Sequence, residues 1–471
     1  MKDSVKNILH KVYYSVSANF LTLAISLIVS FIVPKFLGVE QYGYWQLYAF
    51  YVSYVGFFHF GLVDGIYLRY GGKYYDKLDK SLMHSQYWLL FILEIFIFFF
   101  FIIGTFTIID DSSKKFILLA TGLNCFLILP RTLLQFILQG TGRIKEYAKN
   151  QIAERIIFTI LVLGFLCLNY RSFVYMLIAD IVAKSFGMLA IGWICRDIIT
   201  AKGIRLSQAF HEFSDNISTG IKLLFANITG MLIIGIVRFG IERSWDVATF
   251  GKVSFSMNIS TLVLTFISAV GVVIFPIIKR SAQERLPVIY NTLGFLLSVV
   301  MLFFLITYYP LQKIILLWLP HYSEAIKYFS ILFPISMFEA RSSLLINTYL
   351  KALREENAML FINGFSVLLS LATTIVATVL LKDLTLTVMS IVVLHIVKCL
   401  IPDLYLQKKM KMKFSFEVLW DAFGAIIFVL GNWFVGGLQG WVVYIGFIIF
   451  VVIIRRNEFY QHLISVKEII A

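Results

Sequence analysis

The sequence predicts an all-α integral membrane protein of about fourteen transmembrane helices. Three observations lead there. Hydrophobic residues make up 59% of the 471 positions, against about 45–50% in soluble domains even with glycine counted as apolar. Charged residues make up 14%, where about 25% is usual. Apolar runs of the roughly 20 residues that a spanning helix needs recur from end to end, separated by short connections. A chain so apolar has too little polar surface to cover a soluble core, so a soluble enzyme, a DNA-binding protein and a disordered chain are excluded.

The expected spans lie near residues 12–34, 44–67, 85–109, 116–139, 152–169, 172–194, 218–237, 253–278, 289–309, 325–350, 357–381, 384–406, 416–435 and 440–454. The longest connection, Cys195–Ile217, is polar and ends with Leu206, Phe210, Phe213 and Ile217 on one helical face, so it is expected to lie on the membrane surface. The organisation this gives is an N-terminal six-helix lobe over 1–195, a cytoplasmic amphipathic linker over 196–217, a C-terminal six-helix lobe over 218–406, and two additional transmembrane helices with a cytoplasmic tail over 407–471. Met1–Lys11 is basic, but the apolar run behind it is long and leads into a second span, so no cleavable signal peptide is expected.

An even number of spans puts both termini on one side. Of the 41 lysines and arginines, twenty-five fall in the termini and alternate loops of that side, including Arg69, Arg143 and Arg280, against eight in the opposite loops. This bias places both termini in the cytoplasm. It also accounts for most of the +14 net charge without any nucleic-acid partner. The four cysteines form no C-x-x-C pair, so neither a disulfide framework nor a metal site is expected, and no cofactor is implied.

A short repeat links the halves. Val39-Glu40-Gln41-Tyr42-Gly43 enters the second span, and Val247-Ala248-Thr249-Phe250-Gly251 enters the eighth, 208 residues later. Six-span halves in one orientation are a common transporter arrangement, with the site at their interface. No phosphate-cradling G-x-x-x-x-G-K-[ST] loop, H-E-x-x-H or G-x-S-x-G motif occurs, and no extramembrane domain is large enough to enclose an active site. The chain is therefore not expected to be an enzyme.

The ionisable and amide residues left inside the spans carry the functional argument, because such groups are costly in lipid and usually face the bundle interior. Ser15, Asn19, Thr22, Ser26 and Ser30 form one stripe of the first span. Thr121, Asn124, Arg131, Gln135 and Gln139 line the fourth, where Pro130 is expected to introduce a kink. Gln151, Arg155 and Thr159 open the fifth. Asp180 and Lys184 are spaced i,i+4 in the sixth and are read as a structural ion pair. Lys222, Asn227, Asn258, Glu339, Arg341 and Lys398 form the corresponding set in the second half. Guanidinium and ammonium groups within a lumen suit a phosphate or diphosphate. Asp64, Glu94 and Glu339 are candidates for coupling to a proton or cation, or else partners of a neighbouring cation. The ring-rich second span, from Tyr44 and Trp45 to Phe58, is read mainly as packing, with sugar stacking as the alternative.

Two stretches of the first half, and a third further on, resemble a known family. Val33-Pro34-Lys35-Phe36-Leu37-Gly38-Val39-Glu40-Gln41-Tyr42-Gly43-Tyr44-Trp45-Gln46-Leu47, followed by Asp64-Gly65-Ile66-Tyr67-Leu68-Arg69-Tyr70-Gly71-Gly72-Lys73, is similar to the N-terminal signature of polysaccharide-biosynthesis flippases, the Wzx-type members of the multidrug/oligosaccharidyl-lipid/polysaccharide (MOP) exporter superfamily. Leu138-Gln139-Gly140-Thr141-Gly142-Arg143-Ile144-Lys145-Glu146-Tyr147-Ala148 resembles that family's loop after the fourth helix, and Trp318–Pro334 its ninth-to-tenth connection. The resemblance implies two six-helix lobes with MATE-like pseudo-twofold symmetry around a central cavity, plus two C-terminal helices. It implies a flippase of the bacterial cytoplasmic (inner) membrane that moves an undecaprenyl-diphosphate-linked oligosaccharide repeat unit to the outer leaflet by alternating access. The product would be O-antigen, capsule or exopolysaccharide, and the partners membrane lipids, a polysaccharide polymerase and chain-length machinery. Such cavities are cationic, which suits Arg131, Arg155, Arg341 and Lys398.

On this reading Asn19, Arg131, Gln135, Arg155, Lys222, Asn227, Asn258, Arg341 and Lys398 line the substrate cavity, and Arg69, Arg143 and Arg280 its cytoplasmic entrance. The nearest alternative is a cation-coupled drug antiporter of the same fold, which would favour an acidic cavity. A membrane glycan polymerase or acyltransferase would need a long outward-facing loop or a His/Arg cluster, and a structural scaffold would not need ionisable groups in so many spans.

Overall fold

The structure is a computed structural model that describes residues 25–262, 264, 267, 278 and 282–462, and among these it is helical with no strand. In chain order the helices are α1 (Ile25–Leu37), α2 (Val39–Ser53), α3 (Leu62–Tyr70), α4 (Lys80–Ile108), α5 (Ser112–Gly140), α6 (Ile144–Cys167), α7 (Phe173–Ile194), α8 (Arg196–Ile199), α9 (Leu206–Ser244), α10 (Val247–Thr261), α11 (Leu286–Trp318), α12 (Ala325–Ala352), α13 (Asn357–Leu380), α14 (Leu384–Lys409), α15 (Glu417–Val435) and α16 (Gly437–Ile454). Eleven are long and apolar enough to cross a membrane, or twelve if the bent pair α2–α3 counts as one span. The first and eighth of the fourteen expected spans lie partly outside the described residues, which show helix at the end of the one (α1) and the start of the other (α10).

Many of the turns between spans are short because one residue both ends the connection and caps the next helix. Asp79 accepts from Leu82 N (3.0 Å) at the start of α4, and Asp111 from Ser113 N and Lys114 N (2.7 and 3.0 Å) at the start of α5. Asp246 accepts from Thr249 N (2.7 Å), and Asp383 from Thr385 N and Leu386 N (2.7 and 3.1 Å). Each cap satisfies an amide that lipid could not and sets a negative charge against the positive helix end. The sequence repeat is reproduced as local structure: α2 and α10 start at the equivalent residues Val39 and Val247.

Two features depart from the expected layout. The second span is broken, with α3 turned 58° from the helix before it. Phe60 and Gly61 both adopt left-handed backbone there (φ 51° and 92°), and the His59 ring accepts the Gly61 N–H at 3.0 Å. The segment read as a surface linker ends in α9, one continuous helix of 39 residues. At about 1.5 Å per residue α9 is roughly twice as long as a bilayer core is thick, so its first turns continue beyond the span, with Phe213 and Ile217 packed on the N-terminal core. Pro130 lies inside α5.

The chain forms two compact units, Met1–Ile228 and Thr229–Ala471, which divide within α9 rather than at either end of the expected linker. The core of the first unit joins Val55, Leu62 and Ile66 of the broken span to Leu90 on α4 and Leu129, Leu133 and Ile137 on α5. Within it α3 and α9 approach to backbone contact. A Cβ on Gly65 would sit 1.8 Å from the Asn216 carbonyl oxygen, and one on Gly220 would sit 2.0 Å from that of Gly61. The second unit ties α15 and α16 to its other helices through buried polar groups described below, so the two additional helices belong to this unit.

Gly65→Ala is therefore expected to destabilise the protein by at least about 1–3 kcal/mol, the usual range for overpacking. Gly164→Ala in α6, where a Cβ meets nothing within 4 Å, is expected to be neutral or to gain up to about 1 kcal/mol. Thermal unfolding of the two variants in the same detergent checks the contrast.

Candidate functional site

The N-terminal unit assembles a polar network from α2, α5, α6 and α7. Lys184 contacts Asp180 at 2.5 Å and Asn124 Oδ1 at 3.0 Å. Tyr48 donates to the same Asp180 at 2.5 Å and receives the Asn124 amide at 2.7 Å. The i,i+4 ion pair expected from sequence is thus present, and Tyr48 of the ring-rich span completes it. Two turns further along α5, Arg131 pairs with Glu154 of α6 beside Gly187. Beyond that, Gln135 donates to Asn150 (3.1 Å), which donates to the Gly187 carbonyl at 2.8 Å. Gly187 admits both chains because an added Cβ would lie 2.9 Å from Glu154 and 3.2 Å from Arg131.

Arg155 differs from its neighbours. It is exposed on α6 and its guanidinium makes no hydrogen bond or ion pair among the described residues, yet it lies within electrostatic range of both Arg131 and Lys184. The cluster holds three cations and two carboxylates, which leaves one net positive charge, located on Arg155. Glu154 and Asn150 were not singled out from the sequence, and Tyr48 counted only as one ring of the second span, since nothing in the spacing of one helix reports its partner on another.

At the basic end of this unit the two family-like stretches meet. Gly72 N donates to Gly140 O at 2.8 Å. Tyr75 sits between Lys80 and Arg143, whose charged groups lie 3.2 and 4.5 Å from its ring centre, and its hydroxyl donates to Asp197 at 2.7 Å. Arg69 bonds Glu212 at 2.8 Å and Asn216 at 2.7 Å, and Arg143 bonds Glu146 at 3.0 Å. Burial alone would raise the Asp197 carboxyl, but the hydrogen bonds from Tyr75 and Lys80 outweigh it and hold Asp197 below the usual carboxylate range. Burial pushes the neighbouring Cys195 thiol up to about 11. Arg69 and Arg143, expected at an entrance, therefore clamp connections to helices.

In the C-terminal unit the expected cavity cations are paired. Lys398 bonds Glu339 at 2.7 Å. Arg341 is 0% exposed and lies among α11, α12 and α15. Its Nε donates to Asp421 at 2.6 Å and an Nη to Gly294 O at 3.1 Å, while Ser298 donates to the same Asp421. Arg455 pairs with Glu417 and covers the Phe295 ring at 4.6 Å. The assignment of Arg341 to a cavity wall gives way to a structural role, because its guanidinium has no exposed surface and its Nε and one Nη are already engaged. The α12 backbone widens to a π-turn directly after it, over Ser342–Ile346.

The remaining predicted residues are spread out. Asn19 and Arg280 lie outside the described residues. Lys222 and Asn227 are exposed on α9 and Asn258 is half-buried on α10. Asp64 lies in the first turn of α3, 3.8 Å from His59. Glu94 is 0% exposed on α4, and neither carboxyl oxygen has a hydrogen-bond partner. Tyr44 and Trp45 pack on Phe173 and Phe158, with ring centres 4.9 and 5.8 Å apart, which supports the packing reading of the second span. Among the described residues no group of His, Cys, Asp or Glu is arranged to hold a metal.

A family model described as "Polysaccharide biosynthesis protein" matches residues 8–282, more than half of the chain. The chain belongs to that family. Among solved structures, this member of the polysaccharide biosynthesis family is similar to "Lipid II flippase MurJ, inward closed conformation", at 17% identity and a TM-score of 0.64 over 96% of this chain and 100% of that one. It is also similar to an inward-facing multidrug resistance MATE family transporter of the MOP superfamily, at 13% identity and a TM-score of 0.60 over 84% and 94%. At these identities the likeness establishes the fold alone, one shared with that flippase and that transporter. No curated protein matches the sequence.

Arg131→Ala leaves Glu154 as an unpaired, mostly buried carboxylate and is expected to cost about 3–5 kcal/mol, most of which returns in an Arg131→Met, Glu154→Leu double variant. Thermal unfolding of the single and double variants measures this. The Asp197 contribution follows from its lowered proton affinity in the folded state. It is complete above the unfolded carboxyl's titration and disappears as pH falls through the folded one. Asp197→Asn is expected to lower the Tm at neutral pH and to leave it unchanged in acid below both.

Proposed function

We propose that this protein is a flippase that moves a polyprenyl-diphosphate-linked oligosaccharide repeat unit from the cytoplasmic to the outer leaflet by alternating access, for surface polysaccharide synthesis. The observation that carries the reading is the unpaired guanidinium of Arg155, next to two already neutralised cations. A diphosphate is the ligand chemistry that such a site favours, because a guanidinium binds two phosphate oxygens at once. In the same unit Lys222 and Asn227 are exposed on α9 and carry donor groups of the kind that suit phosphate and sugar hydroxyls. The family supports a role in polysaccharide synthesis, and the fold supports transport in place of catalysis.

The bacterial cytoplasmic membrane, with both termini inside, suits the loop charge bias of twenty-five to eight. The polymerase and chain-length machinery that extend the exported units are the expected functional partners.

Arg155→Ala is expected to reach the membrane at normal levels and to lose about 10–100-fold in glycan export, the equivalent of a charged hydrogen-bonding contact worth about 1.5–3 kcal/mol. Lipid-linked single repeat units should accumulate on the cytoplasmic side, and Arg155→Lys should restore part of the flux. Wild-type surface glycan in Arg155→Ala overturns the assignment, and export of a drug-like cation without any effect on glycan points to the antiporter.

A further inference from the structure

The C-terminal unit contains a hydrogen-bonded chain whose donors and acceptors do not balance unless it holds an added proton. His395 on α14 is buried, its side chain 3% exposed, and both ring nitrogens face oxygen atoms. Nδ1 lies 2.7 Å from the Ile391 carbonyl oxygen, and Nε2 lies 3.0 Å from Glu339 Oε1 on α12. A carbonyl oxygen only accepts, so Nδ1 must carry a hydrogen. In a neutral imidazole the other nitrogen then presents a lone pair, here aimed at a carboxylate oxygen that also only accepts. Two acceptors 3.0 Å apart in a buried site repel each other.

One further proton resolves the conflict, and its place follows from a third group. Lys398 donates to the same Oε1 at 2.7 Å, and an ammonium has donors alone. The ammonium charge beside Oε1 favours the ionised carboxylate, which places the proton on the ring.

The geometry points to His395 and Glu339 as a proton-binding site, one proton per chain, in which the bound proton makes His395 an imidazolium joined to the Glu339 carboxylate. The surrounding ionisable groups are otherwise engaged. On α14, Asp403 receives Tyr290 of α11 and Gln407 at 2.5 Å each. The Cys399 thiol, also on α14, faces the Phe338 carbonyl at 3.1 Å. On α12, Arg341 is bound to Asp421 of α15. The described part of α10 brings only Lys252, which is bound to Glu324, and α13 has no ionisable side chain between Asn357 and Leu380. Glu339 is 23% exposed, so the carboxylate is the less enclosed side of the pair.

Protonation has two consequences. The cluster of Lys398, His395 and Glu339 carries one net positive charge with the proton and none without it. The proton also joins α12 to α14 at the ring, and its loss leaves Lys398 as the remaining link from α14 to this carboxylate. Use of the site to drive transport rests on the flippase reading, whereas the existence of the site does not.

The test is nitrogen NMR of full-length protein labelled with ¹⁵N-histidine and held in lipid nanodiscs at neutral pH. Subtracting the spectrum of His395→Gln assigns one of the seven histidines. Glu339→Gln gives an independent assignment, because among the described histidines only His395 contacts this carboxyl. The expected signal is a doubly protonated imidazole in the wild type that becomes a single neutral tautomer, protonated at Nδ1, in Glu339→Gln. A neutral His395 in the wild type, with Nε2 unprotonated, overturns the site and leaves the Arg155 export assay untouched. Conversely, normal export in Arg155→Ala removes the flippase reading and leaves the imidazolium result standing.

Discussion

An ionised side chain among apolar helices must be paired, and this requirement organises both units. Leaving such a charge alone costs several kcal/mol, more than most single contacts in a folded protein return. The structure meets it by joining cations and carboxylates on different helices: Arg131 with Glu154, Arg341 with Asp421, Lys398 with Glu339, Arg455 with Glu417. These pairs do two things together. They make particular helix neighbours obligatory, and they remove most intramembrane cations from the set free to bind a ligand. What stays unneutralised then carries functional information, which is why Arg155 stands out.

The two units use the same device to different ends. In the N-terminal unit the polar groups lie along α5, α6 and α7 and end at an unpaired, exposed guanidinium. In the C-terminal unit the strongest pairs are sealed. Arg341 with Asp421, and Arg455 over Phe295, attach α15 and α16 to α11 and α12. The Glu339 cluster lies between these extremes, with a buried ring and a partly exposed carboxylate.

Much of the fold was legible in the chain. The hydropathy runs placed the helices, because the length and polarity demands of a bilayer act on each segment separately. The i,i+4 pair Asp180–Lys184 was legible for the same reason, since both partners lie on one helix. The break at Phe60–Gly61 was hidden, because the apolar run continues through it and left-handed backbone leaves no mark on hydropathy. The continuity of α9 was hidden as well: a polar first half and an apolar second half look like two elements, yet nothing in between stops the helix. The closeness of α3 to Asn216 lay behind Gly65, a motif residue whose reason appears only when the facing backbone is present.

By itself the sequence determined the membrane class, the approximate helix count, the family-like stretches and the small set of cations that lie within spans. Each of those is a property of a local segment or of composition. Tertiary structure alone decided which of these cations are neutralised, because an ion pair depends on distance between helices far apart in the chain. By that criterion Arg69, Arg131, Arg143, Arg341 and Lys398 became anchors, and Arg155 remained available.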